Sequence, residues 1–190
     1  MPMSAKHGKE EIKQWYSKLV PTTDIIRVLD VGAGIGTYSK LLRNKSKFKE
    51  FWEAVEIWTP YIEEYHLMDM YNSVHIQDIR LFEWTTKYDL VIFGDVLEHM
   101  HKINAEITVE KAMQNSRFIL ISIPLGINVQ GAWGGNPFEV HVKPDWTHKE
   151  VLTTWPTAKR IDNFTLNNPD TTIVGVYLLT MKPKNLTIPM

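Results

Sequence analysis

Arg27-Val28-Leu29-Asp30-Val31-Gly32-Ala33-Gly34-Ile35-Gly36-Thr37-Tyr38-Ser39-Lys40-Leu41-Leu42 is the stretch from which the fold can be read. It opens as a short apolar run with the length and β-branching of a buried strand. Gly32, Gly34 and Gly36 then alternate, and Tyr38, Leu41 and Leu42 recur at helical spacing, so a helix begins near Thr37. Strand, glycine turn and helix in that order make a concave seat where a ligand lies against bare backbone. Glycine is needed there because a Cβ would block both the tight turn and the close approach. The bare pattern also fits a plain flexible loop. Its strand-and-helix context favours a site, as does Asp30 two residues ahead of the first glycine. Glu56, ending a second apolar run about twenty residues on, stands where nucleotide folds place a ribose-binding carboxylate.

At 190 residues the chain, residues 1–190, reads as a single α/β domain. A hydrophobic fraction of 44% and a charged fraction of 23% are ordinary for a globular protein. The net charge of −1 provides no broad basic field for long nucleic acid. The absence of cysteine removes disulfides, thiolate zinc sites and thiol nucleophiles together. No apolar run approaches a membrane span and no signal-peptide core is visible, so no membrane partner and a cytoplasmic setting are expected.

Within residues 1–20, Ile12, Trp15, Tyr16 and Leu19 predict an amphipathic helix ended by Pro21. It either packs on the sheet or brings Trp15 or Tyr16 over a ligand. Strands are predicted over residues 25–31, 51–57, 74–79, 88–94 and 117–123, the last stopped by Pro124. Helices are predicted over residues 37–43, 61–70, 95–100 and 105–114. The aperiodic segment 124–146 has the length of a lid or binding loop. Thr147-His148-Lys149-Glu150 is a capping box that restarts a helix. Strands over 159–164 and 172–181 flank a turn signal at 167–170. Strands alternating with helices give a doubly wound, mostly parallel Rossmann-like sheet, and the closing hairpin requires an antiparallel last strand.

Asp30-Val31-Gly32-Ala33-Gly34-Ile35-Gly36 resembles the first motif of class I S-adenosylmethionine-dependent methyltransferases. The dinucleotide fingerprint would instead place its last glycine at position 37, which is Thr37. The resemblance extends over roughly Ile25 to Lys182 and implies a seven-stranded sheet with the last strand antiparallel. Asp30, Glu56 and Asp78 fall at the ends of the first three predicted strands; taken alone, Glu56 also fits a solvated strand-end carboxylate and Asp78 a helix cap before Leu81. A negatively lined pocket repels pyrophosphate and welcomes a sulfonium, which argues against NAD and ATP. The resemblance implies that Glu56 holds ribose hydroxyls, Asp78 and the Ile79 backbone address adenine, and Gly32 and Gly34 pass beneath the methionine portion. It places Gly36 in the same motif, gives Asp30 the ammonium end, and sets Gly94 and Asp95 beside the transferring methyl.

Methyl transfer from a sulfonium is a direct displacement, so alignment supplies most of the acceleration, sometimes with a base for the acceptor proton. His99 and His141 are the candidate bases, since imidazole titrates near neutrality. Asp95, Glu98 and His99 share a face at three- and four-residue spacing, and with His141 they offer a divalent-metal option that the main reading does not require. This segment is similar to the Glu-x-x-Glu-His of ubiquinone-biosynthesis O-methyltransferases and small-RNA 2′-O-methyltransferases, with Asp95 in place of the first glutamate. In other methyltransferases the same segment has no metal role, and Glu98 and His99 are then helix-start residues. Trp133, Phe138, His141 and Trp146, among Gly131, Gly134 and Gly135, suit a lid over a flat or apolar acceptor, or a loop that caps the sheet end. The expected function is therefore methyl transfer to a small or medium-sized acceptor, with oxygen favoured. Alternatives are metal-assisted 2′-O-methylation of a nucleic-acid end and a non-catalytic cofactor-binding partner subunit.

Overall fold

A computed structural model describes residues 6–162 and 173–180 of the chain, and the turn signal at 167–170 lies outside them. The strands are β1 (Ile25–Val31), β2 (Lys49–Glu56), β3 (Ser73–Ile76), β4 (Tyr88–Gly94), β5 (Ser116–Leu125), β6 (Lys159–Arg160) and β7 (Ile173–Thr180). They form one sheet in the order β3-β2-β1-β4-β5-β7-β6. Strands β1 to β5 run parallel, and β7 is antiparallel to both β5 and β6. This is the predicted seven-stranded, doubly wound sheet with an antiparallel last strand.

The helices are α1 (Lys9–Ser17), α2 (Thr37–Leu42), α3 (Thr59–Glu64), α4 (Leu67–Met70), α5 (Lys102–Asn115) and α6 (His148–Thr154). Strands β1 and β4 match their predicted bounds because both are mostly apolar and largely buried, with Arg27, Asp30 and Asp89 their charged positions. Val28, Leu90, Ile92 and Leu120 face the layer containing Ile12 and Tyr16 of α1 and Leu42 of α2. Leu29, Val91, Phe93, Ile119 and Ile121 face the layer containing Val109 of α5 and Val151 of α6. The period-two alternation of each strand thus feeds two separate cores.

Several boundaries differ from expectation. The helix predicted over 61–70 is broken at His66, which adopts a left-handed conformation with φ 54° between α3 and α4. Strand β3 ends at Ile76, and Asp78 instead caps a single 3₁₀ turn, Ile79–Leu81, its carboxylate accepting from the Arg80 N–H. The helix expected over 95–100 is only the 3₁₀ turn Leu97–His99. Pro124 does not stop β5, which runs on to Leu125. The Ser122 carbonyl accepts the Asp95 N–H on the β4 side, and strand alternation turns the Pro124 nitrogen to that same side. There β4 has already ended at Gly94, opposite Ser122, so the missing N–H costs no ladder bond.

Trp146, predicted as part of the lid, is fully buried and stacks on Trp155 with ring centroids 5.5 Å apart. It belongs to the core beneath α6, and the Thr147 cap accepting from the Glu150 N–H fixes that helix beside it. Trp133, by contrast, is 51% exposed. Trp146→Ala is therefore expected to lower stability by about 3–5 kcal/mol. Trp133→Ala should stay within about 0.5 kcal/mol of the parent. Urea unfolding midpoints measure both, and equal losses would contradict this division of the loop.

Candidate functional site

The chain leaves β1 toward β2 and β3 on one side, while β4 and β5 lie on the other. The carboxyl ends of β1 and β4 therefore flank a topological switch point, where open α/β sheets bind ligands. A cleft of about 930 Å³, counted out to its mouth, opens there and is floored by Gly32, Ala33 and Gly34. Gly32 has φ +64°, and a Cβ on it would lie 2.6 Å from Cγ2 of Val96, so the turn and the segment after β4 close only over glycine.

Glu56, at the end of β2, ties this turn down. Its carboxylate accepts the Gly34 N–H at 3.0 Å and the Trp58 N–H at 2.9 Å while only 4% of the residue is exposed. Burial raises its pKa, and the two backbone bonds oppose that rise. Asp78 lines the cleft on the β3 side and is bonded to the Arg80 guanidinium. Burial disfavours its charge, but the Arg80 side-chain and backbone bonds and the guanidinium charge together hold the carboxyl below its usual range. Ile79 and Gly94 also line the cleft. Asp95 lines it in a left-handed conformation, φ 57°, with its N–H donated to the Ser122 carbonyl at 2.8 Å. Such strain in a residue other than glycine is characteristic of functional sites.

Two of the candidate cofactor-binding residues, Asp30 and Gly36, lie off the cleft surface, as do Glu98 and His141. Gly36 caps α2, where a Cβ would meet Met70. Asp30 is buried behind the turn and accepts the Tyr71 hydroxyl at 2.6 Å. Burial raises its pKa to about 7, against the opposing Tyr71 bond and Lys9 charge. Trp15 and Tyr16 pack into the core against Phe118 and Trp52.

His99 lines the cleft, and its ring lies 4.9 Å from that of His141. The Val140 carbonyl accepts from Nδ1 of His99 at 3.1 Å, and the Asn128 carbonyl from Nδ1 of His141 at 2.6 Å. A carbonyl only accepts, so each Nδ1 carries a proton, and in the neutral ring Nε2 is then the nitrogen with the lone pair. Burial lowers the His99 pKa. Ligand atoms of Glu98, His99 and His141 lie within 4.8 Å of one another. Glu98 is 1% exposed, its Oε2 has no hydrogen-bond partner among the described residues, and burial raises its pKa well above the usual carboxylate range.

Sequence reasoning missed several contributors. Tyr38, Tyr61 and Asn136 line the cleft, as does Glu139, which accepts the Tyr61 hydroxyl at 3.1 Å and so ties the long loop to α3. Tyr61 and the Asn136–Glu139 segment are far apart in sequence and carry no local motif, whereas Tyr38 directly follows the glycine turn and its place there was a usable signal. Glu56, Asp78, Asp95 and Glu139 give the cleft four carboxyl groups, whereas Arg80 and His99 are its basic lining residues.

Comparison with solved structures identifies this fold among proteins described as S-adenosylmethionine-dependent methyltransferases. One such enzyme from Clostridium acetobutylicum aligns at 14% identity and TM-score 0.63, over 91% of this chain and 90% of that one. The plantazolicin methyltransferase BpumL, solved with SAH, aligns at 13% identity and TM-score 0.63, over 91% and 82%. CalS10, an amino pentose methyltransferase from Micromonospora echinaspora solved with SAM, aligns at 11% identity and TM-score 0.60, over 90% and 89%. No protein-family model matches the sequence, and no curated protein is significantly similar to it. At these identities the likeness is one of fold.

The buried Asp30 makes a pH prediction. Its folded pKa of about 7 stands above the ordinary 3.8, so between those values the folded state holds a proton that the unfolded chain has released. The associated stability is present below about pH 4 and lost as pH rises through about 7. Asp30→Asn is expected to flatten that decline by up to about 1.4 kcal/mol per pH unit, measured by urea unfolding across the window. Parallel profiles for parent and variant would contradict it.

Proposed function

We propose that the chain is a methyltransferase that uses S-adenosylmethionine and acts on a small or medium-sized acceptor, with oxygen as the receiving atom. The observation that carries this reading is the Glu56-braced glycine turn opening on a cleft lined by carboxyl groups. The fold shared with methyltransferases solved with SAH or SAM supports it. When bound, the donor supplies a methyl group on a sulfonium, which needs only an aligned acceptor.

Each residue then has a role set by its position. Glu56 presents its remaining oxygen lone pairs to ribose hydroxyls, and Asp78 with Ile79 faces adenine. Gly32 and Gly34 lie under the amino-acid portion, with Asp30 behind them as an electrostatic support. Gly94 and Asp95 flank the point of transfer. His99 is neutral at physiological pH, and its Nε2 takes the proton of an acceptor hydroxyl, with His141 packed against it. Phe138, 43% exposed at the mouth, offers an aromatic surface to the acceptor. A cytoplasmic setting belongs to the same reading; among the described residues no helix is long and apolar enough to cross a membrane.

A second reading is favoured by the convergence of Glu98, His99 and His141. These residues fit a divalent ion: one buried carboxylate oxygen lacks a partner among the described residues, and two imidazoles are held through Nδ1, leaving Nε2 to the site. An ion there would polarise an acceptor hydroxyl, such as a 2′-hydroxyl at a nucleic-acid end, with Asp95 close by as a further carboxylate.

Calorimetry tests the donor assignment. SAH is expected to bind at micromolar level, and Glu56→Gln to weaken it about tenfold or more. No heat at millimolar SAH would overturn it. For the second reading, Mn²⁺ or Zn²⁺ should bind the parent and not His141→Ala. Undiminished methyl transfer in excess chelator would overturn that reading and leave the first intact.

A further inference from the structure

We propose that Lys9 anchors the donor, its ammonium taking the carboxylate at the amino-acid end of S-adenosylmethionine. The inference deepens the donor assignment above and rests on it. Lys9 lies in the first turn of α1 and is 9% exposed. Its Nζ donates to the Tyr38 hydroxyl at 2.6 Å and sits 3.9 Å from the centre of that ring. Tyr38 lines the cleft, and its ring presses so closely on the end of β4 that a Cβ on Gly94 would lie 2.0 Å from it. One aromatic ring therefore separates the buried ammonium from the place where the glycine turn and β4 meet.

The charge balance of the cleft points the same way. The donor carries two positive groups, a sulfonium and an α-ammonium, and one negative group, a carboxylate. Glu56, Asp78, Asp95 and Glu139 suit the cationic groups, the hydroxyls and the adenine amine, but none suits the carboxylate. Arg80 lies beyond β3 and is bonded to Asp78, at the opposite end from the glycine turn. His99 is held toward its neutral form by burial. At the glycine-turn end, Lys40 is exposed and donates to the Ile35 carbonyl, whereas Lys9 is the buried cation held against a cleft-lining side chain. The charges of Asp95 and Asp30 favour its protonated form, and burial, the larger effect, brings its pKa down to about 8. A buried ammonium is expensive, and an apolar side chain would fill the same space under α1 at lower cost. A carboxylate arriving beside it would add a charge-assisted hydrogen bond to the partners the ammonium already has.

The test compares two probes on the full chain. SAH carries the amino-acid end, whereas 5′-methylthioadenosine lacks it and keeps the adenosine. In calorimetric titrations, Lys9→Met is expected to weaken SAH by roughly tenfold to a hundredfold and to leave methylthioadenosine within about twofold. Lys9→Arg, which keeps the charge, should recover most of the SAH affinity. Equal losses for both probes would show that Lys9 acts through the packing of α1 and would overturn the proposal. Unchanged SAH affinity in Lys9→Met would overturn it too, while leaving the donor assignment standing. If the parent binds neither probe, the donor assignment fails and this inference with it.

Discussion

The pair of backbone N–H groups held by the Glu56 carboxylate is the interaction on which the site depends. Besides it, the glycine turn after β1 is held only by backbone bonds, the Gly32 N–H donated to the Val55 carbonyl and the Gly36 N–H donated to the Ala33 carbonyl, since glycine contributes no side chain. With it, β2 and the turn become one rigid corner. The carboxylate is costly to bury, and its two backbone bonds offset that cost while still leaving lone pairs toward the cleft. The same side chain thus shapes the seat and presents a charge within it.

The rest of the architecture brings other charges to this corner. Parallel pairing aligns the carboxyl ends of β1 to β5, so Glu56 and Asp95 arrive at one edge without any long-range design. Asp78 follows β3 by two residues and is steadied by its 3₁₀ turn. The left-handed Asp95 breaks the chain direction immediately after β4, and the following 3₁₀ turn places His99 in the cleft lining. That turn brings Glu98 and His99 against the long loop, whose Val140 and Asn128 carbonyls set the tautomers of both histidines. Electrostatics and backbone geometry therefore agree on a site that favours cationic and hydroxyl-bearing ligands and disfavours phosphates.

Much of this was legible in the sequence because the decisive signals are local. The apolar runs of β1 and β4, the glycine spacing and the Thr147 cap each declare themselves within a few residues. The misreadings have a common cause. Trp146 looks like part of a glycine- and proline-rich lid until Trp155 is seen stacked on it. Pro124 looks like a strand end until it is known that β4 has already stopped. Asp78 reads as a strand terminus because alternation continues past Ile76, whereas the backbone turns to meet Arg80. Lys9 carries no signal of its own in the sequence, and only the packing of α1 against α2 reveals it beside Tyr38. Glu139 meets Tyr61 across 78 positions of sequence, a distance over which no spacing rule operates.

The central claim is that the Glu56-braced glycine turn is the seat of a sulfonium donor. An amide-resolved NMR titration with SAH tests it most directly. The account predicts that the Gly32, Gly34 and Gly94 resonances shift together and saturate at micromolar concentration, with the resonances around Asp78 following the same curve. Unmoved glycine amides at millimolar SAH, or shifts confined to residues away from this corner, would contradict it.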